Sequence, residues 1–147
     1  MKLPQKKRRA PRGAVHSMEG QLLIAMPTMT DKRFARSVIY ICAHSSRGAM
    51  GLIINQRAKH ISFAELLEHL EIARPPAKLA VAGVVNKEIH AGGPVETARG
   101  FVLHSADYVA DSSTLAIDKG ICLTATVDIV RAIARGKGPY RSLLALG

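Results

Sequence analysis

Two apolar runs constrain this chain most. Residues 37–43 read Ser-Val-Ile-Tyr-Ile-Cys-Ala and residues 49–55 read Ala-Met-Gly-Leu-Ile-Ile-Asn, with Ser45-Ser46-Arg47-Gly48 between them. Each run is rich in β-branched residues and too short for a buried helix, so the pair reads as a β-hairpin. Alternation of polar and apolar residues, the mark of a strand with one wet face, is nearly absent. Both faces of such a hairpin must be covered, so the fold needs further layers built from the rest of the chain.

The covering elements can be found from their local chemistry. Ser62-Phe63-Ala64-Glu65 is a capping box in which Ser62 bonds the Glu65 amide and Glu65 reaches back. Ile61 and Leu66 occupy the hydrophobic-staple positions, and Phe63, Leu66, Leu67 and Leu70 fall on one helical face. That helix must end by Arg74, before Pro75-Pro76. Ile129, Val130, Ile133 and Ala134 mark a second amphipathic helix, with Thr124 or Thr126 as its cap and Gly136 as its stop. Gln21–Met26 is a short strand ended by Pro27, and Thr30–Phe34 a capped helical turn. Glu88–Ala91 and Gly100–Ser105 read as strands, Thr114–Ile117 and Ile121–Thr124 as a hairpin around Asp118-Lys119-Gly120, and Leu143–Leu146 as a last apolar run. Strands in adjacent pairs with two intervening helices predict an α+β fold rather than strict βαβ alternation.

Charge divides the chain in two. Lys2, Lys6, Lys7, Arg8, Arg9 and Arg12 precede the first acid, Glu19; removing those six from 21 basic residues leaves 15 against 11 acids, so the net +10 falls to +4. Residues 1–17 are therefore expected to be a disordered basic tail, and 18–147 a single domain. Any nucleic-acid binding is expected from the tail alone, which has no aromatic residue to stack on bases. No apolar run reaches the length of a membrane span, so a cytoplasmic chain with no membrane partner is expected. Cys42 and Cys122 lie inside apolar runs and suit small buried residues in a reducing compartment, with their pairing left open.

Most catalytic signatures are absent. The chain has no Cys-x-x-Cys or His-Glu-x-x-His spacing, no Gly-x-Ser-x-Gly elbow, no P-loop and no dinucleotide fingerprint, so neither a metal nor a cofactor is expected and catalysis is disfavoured. His44, His90 and His104 stand at strand ends. His104-Ser105-Ala106-Asp107 has the residue types of a triad, yet adjacent strand residues point to opposite faces. The remaining candidate is the corner Ile89-His90-Ala91-Gly92-Gly93-Pro94 through Arg99 to His104. Gly92 and Gly93 can take positive φ and aim amides at an anion, with Arg99 as a planar donor and His104 nearby. The plainer expectation is a sharp turn with at least one positive-φ glycine, Pro94 starting the outgoing segment, and Arg99 and His104 bonding backbone or neighbouring side chains.

These blocks also carry a family resemblance. Gly20-Gln21-Leu22-Leu23-Ile24-Ala25-Met26-Pro27, Phe34 with Arg36-Ser37-Val38, Gly48–Asn55, Gly92–Val95 and Arg99–His104, in this order, resemble the AlgH/YqgE family of bacterial proteins from about Gly20 to Gly147. The resemblance implies an α+β fold in which mixed, mostly antiparallel strands curl into a partly closed barrel-like sheet flanked by helices. It implies a cytosolic protein, a transcriptional-regulator label for some relatives, and no catalytic residues to carry across. No helix-turn-helix with a basic recognition helix is present to support that label. Relatives continue into a Trp-bearing segment beyond Leu146-Gly147, which this Trp-free chain is expected to lack. The expected function is that of a non-enzymatic regulatory or interaction protein with a protein partner. The alternative is a small-ligand or anion-binding protein, or an enzyme, using Gly92, Gly93, Arg99 and His104. A pocket joining His44, Arg99 and His104 would favour the alternative, and an apolar surface without convergent polar groups the first reading.

Overall fold

The computed structural model describes residues 17–73, 87–93 and 99–146. The basic tail as far as residue 16, Pro94 and the Pro75-Pro76 pair lie outside the described residues. The expected central hairpin is formed by β2 (Val38–Ser45) and β3 (Gly48–Ile53), with β1 (Leu22–Ile24) on the far edge of β2. A second sheet has the order β4 (Ile89–Ala91), β8 (Ser142–Leu146), β5 (Gly100–Ser105), β7 (Ile121–Thr124), β6 (Thr114–Asp118). All pairings are antiparallel except that of β4 with β8. This is the mixed α+β architecture expected.

The two sheets are stitched together where β3 passes β4. Ile53 donates its amide to the Gly92 carbonyl (2.8 Å), Ala91 to Gln56 (2.8 Å) and Ala58 to Ile89 (2.7 Å). Tyr40, Cys42 and Leu52 from the first sheet pack with Phe101, Leu123 and Ala145 from the second, so the strands curl around one shared apolar filling. The curl stays open: β1 and β6 are both edge strands. At those edges, Asp118 at the end of β6 lies so near Gly20, just before β1, that a Cβ there would meet its carboxylate at 2.9 Å.

The opposite face of the second sheet is covered by α1 (Phe63–His69) and α2 (Val127–Ala134). Strand alternation sorts the residues. Phe101 and Ala145, paired across β5 and β8, face the shared filling, while the next pair, Val102 and Leu144, face the helices with Phe63, Leu67, Ile129 and Ile133. Phe63 and Leu67 are buried as expected, while Leu66 and Leu70 are only partly buried at the edge of the same cluster.

Both helices stop by one mechanism. After α2, Gly136 (φ 73°) donates to Ile133 and Lys137 to Ala132; after α1, Glu71 (φ 57°) donates to Glu68 and Ile72 to Leu67. These are paired Schellman closures, the second with a non-glycine residue in the left-handed position. The capping box of α1 is present in both directions. Thr126 occupies the N-cap position of α2 but makes no side-chain capping bond. In the 31–35 turn Asp31 is the cap, taking the Arg33 amide at 3.0 Å. Its carboxylate also grips the Arg33 guanidinium, which lowers its pKa to about 2.

Candidate functional site

The glycine corner is not a hairpin. β4 and β5 do not pair with each other, because β8 lies between them in the sheet. Gly92, just past the end of β4, is buried. Its amide donates to the Leu146 carbonyl (2.7 Å) and its carbonyl accepts from Ile53. A Cβ at this position would stand 3.0 Å from the Ala145 Cβ and 3.2 Å from Leu52 Cδ2. Gly92 is thus small because three strands converge on it, and its amide is already engaged. Gly93 has φ 156°, at the margin of extended backbone.

His104 projects toward the helix-covered face, the side of its strand that Val102 also occupies, and is buried. Its Nδ1–H donates to the Ser105 carbonyl (2.8 Å), and Nε2 accepts from the Thr124 hydroxyl (2.7 Å). The Thr124 oxygen takes the Thr114 hydroxyl (2.8 Å), and Thr114 accepts the Ala110 amide (2.8 Å). Tyr108 meets the imidazole edge-on at 5.8 Å. In this relay every polar atom of a buried chain has a partner. Ser105 faces away, its hydroxyl bonded to Asp107 (2.5 Å) and receiving the Arg141 amide (3.0 Å). Asp107 also takes the Tyr140 amide, and its pKa is lowered first by the Ser105 hydroxyl and then by that amide. His104 and Ser105 therefore serve separate networks, as the strand geometry required.

Arg99 lies over the Phe101 ring, 5.2 Å from its centroid, at the rim of a cavity of about 290 Å³. That cavity runs between α1, the start of α2 and the β5–β8 pair, and Leu66, Leu70, Val127, Val130 and Leu146 make it predominantly apolar. His104 borders a different, shallower depression with Arg141 and Leu143. His44 borders a third with Arg47 and Met50, where its Nδ1 accepts the Met18 amide (2.9 Å). The three residues do not share a pocket. Among the described residues no group of three or more His, Cys, Asp or Glu is gathered as for a metal ion. No described helix is long and apolar enough to cross a membrane.

Sequence reasoning missed Thr124 as the partner of His104, Thr114 behind it, and the groove itself. The threonines had a signal, since they stand opposite each other in the β6–β7 hairpin. The groove depends on how α1 and α2 settle on β5 and β8, for which no local pattern exists. Cys42 and Cys122 are free and buried. Cys42 points into the filling between the sheets, whereas Cys122 shares the Thr124 side of β7, so the open question of pairing is answered by the sheet between them.

The sequence model of the AlgH-like family matches residues 22–147. A UPF0301 protein of Rhodopseudomonas palustris is 60% identical over 131 residues, 88% of this chain and 62% of the relative. Another, from Bradyrhizobium diazoefficiens, is 54% identical over 139 residues, 94% of this chain and 65% of that protein. The solution structure of the AlgH protein of Pseudomonas aeruginosa superposes with a TM-score of 0.70 at 38% identity, covering 96% of this chain and 69% of that one. A crystal structure of a Corynebacterium diphtheriae protein shares the fold with a TM-score of 0.62 at 18% identity, covering 97% of this chain and 67% of that one. The chain spans about 62% of the length of the first of these curated relatives.

Proposed function

This chain belongs to the AlgH-like family, and from that premise we propose that it is a non-enzymatic regulatory protein that works by docking a protein partner in the groove between α1, α2 and the β5–β8 pair. The observation that carries this reading is the separation of the polar candidates. Arg99, His104 and His44 border three different depressions, and the most enclosed of these, at Arg99, is lined chiefly by aliphatic side chains. Chemistry needs polar groups converging on one reacting atom; recognition of an apolar side chain needs a dry slot with a polar rim. Arg99 supplies such a rim. Regulation through DNA reading by the described residues has no support, because both described helices bury their apolar faces on one sheet.

Val127→Glu tests the reading. Val127 is exposed at the first position of α2, where an acid suits the helix, so the variant should fold while placing charge in the slot. A partner captured from native lysate by the wild-type chain and lost by Val127→Glu at unchanged melting temperature supports the groove. Equal capture by both chains sinks it.

A further inference from the structure

A second cavity, separate from the groove, carries unbalanced charge. The chain leaving β3 runs beside the start of β4, and between them lies a space of about 540 Å³ bordered by Arg57, Lys59, Lys87 and Glu88 above a floor of Phe63 and Ile89. Glu88 is engaged by the Arg57 guanidinium. Lys59 and Lys87 have no ion-pair partner among the described residues. Three cations against one carboxylate leave the lining two positive charges in excess. Lys87 is half-buried, and burial pulls its pKa below the ordinary lysine value. An ammonium drawn out of water is normally paired; Lys87 has no such pair among the described residues, and it borders this cavity. The start of α1 adds nothing, because Ser62 and Glu65 bond each other's amides.

We propose that this cavity binds a small phosphorylated molecule, its phosphate held between the Lys59 and Lys87 ammonium groups and its organic part resting on the apolar floor at Phe63 and Ile89. A phosphomonoester carries between about −1.5 and −2 charges at neutral pH, which matches the excess. The space is larger than a bare phosphate requires and falls in the range of small-molecule sites. A polynucleotide fits less well, since successive phosphodiesters need a stripe of cations rather than two lysines bordering one cavity.

The test uses the full chain, labelled with ¹⁵N and titrated at constant ionic strength with inorganic phosphate, phenyl phosphate and a single-stranded oligothymidine. The expected result is saturable movement of the Lys59, Ser62, Glu88 and Ile89 amides, with phenyl phosphate binding more tightly than inorganic phosphate. Replacing both lysines (Lys59→Ala with Lys87→Ala) should weaken phenyl phosphate by about tenfold or more, because two near charges are removed. Lys87→Arg should retain binding, which separates loss of charge from loss of fold. The proposal is overturned if these amides do not move or if the double variant binds as well as the wild type. It also fails if oligothymidine displaces phenyl phosphate with a steep salt dependence, which would mark a nucleic-acid patch.

Discussion

His104 shows how a residue with catalytic potential is turned to structural use. Its ring is held by the Ser105 carbonyl on one side and by a threonine relay on the other, and Tyr108 closes the edge. Thr124 is 0% exposed, so no water can replace its hydroxyl once it is removed. Thr124→Val should therefore cost about 1–3 kcal/mol, the penalty for leaving buried polar partners unsatisfied. The check is urea denaturation: the midpoint should fall while the slope stays constant. Adding His104→Phe to that variant should cost less than His104→Phe costs the wild type, since the two side chains share one bond. The cysteines make a second case. Burial pushes the Cys42 thiol up to about 11, and Cys122 lies across the sheet from it. Thiol reagents at neutral pH should leave Cys42 unmodified in the native chain and label both cysteines once it unfolds, as mass spectrometry would count. Rapid labelling of native Cys42 would mean that the shared filling is not closed there.

Among the elements, α1 was the most legible in the sequence and also carries an unexpected strain. The box Ser62–Glu65 set its start, because capping chemistry is local and reads directly from residue types. Its end was readable only as an upper limit at the prolines. The actual stop comes earlier, at Glu71, which takes the left-handed conformation so that Ile72 can turn back onto Leu67 and join the buried cluster. No propensity announces a glutamate in that role. Glu71→Gly should stabilise the fold by about 1 kcal/mol, since glycine adopts this conformation without a Cβ penalty. A lowered denaturation midpoint would contradict that account. The start of the helix has a pH signature of known sign. The Ser62 amide, and after it the Ser62 hydroxyl contact, hold the Glu65 pKa below its ordinary value. Its contribution is therefore present above the usual carboxylate range and lost as pH falls through the lowered value. The stability advantage of the wild type over Glu65→Gln, measured by denaturation, should be present at neutral pH and vanish in acid. An advantage that persists below the carboxylate range would show that ionisation of Glu65 plays no part.

At the scale of the whole molecule, the sequence revealed the pieces and concealed their order. Local patterns marked the strands and both helices, but β8 comes last in the chain and inserts between β4 and β5, pairing Ile89 with Leu144. Periodicity within a strand says nothing about a partner so far along the chain. Nor could the sequence show that the strands on either side of the glycine corner are held apart by β8. Gly92 is where this hidden order becomes physical. Its carbonyl receives β3, its amide is given to β8, and its missing side chain lets Ala145 and Leu52 close in from the two sheets. A methyl group here presses on Ala145, whose Cβ is fixed to the backbone of a central strand and has little room to yield. Gly92→Ala should therefore destabilise by about 1–3 kcal/mol, the usual range for overpacking a close contact. The distribution of the loss is the sharper expectation. If the stitch at Gly92 makes the two sheets one cooperative unit, hydrogen exchange in the variant should accelerate together in β2–β3 and in β5–β8. Acceleration confined to the β4–β8 pair, with Tyr40 and Leu52 amides as protected as before, would mean that each sheet stands without the other and that Gly92 serves only its own strand.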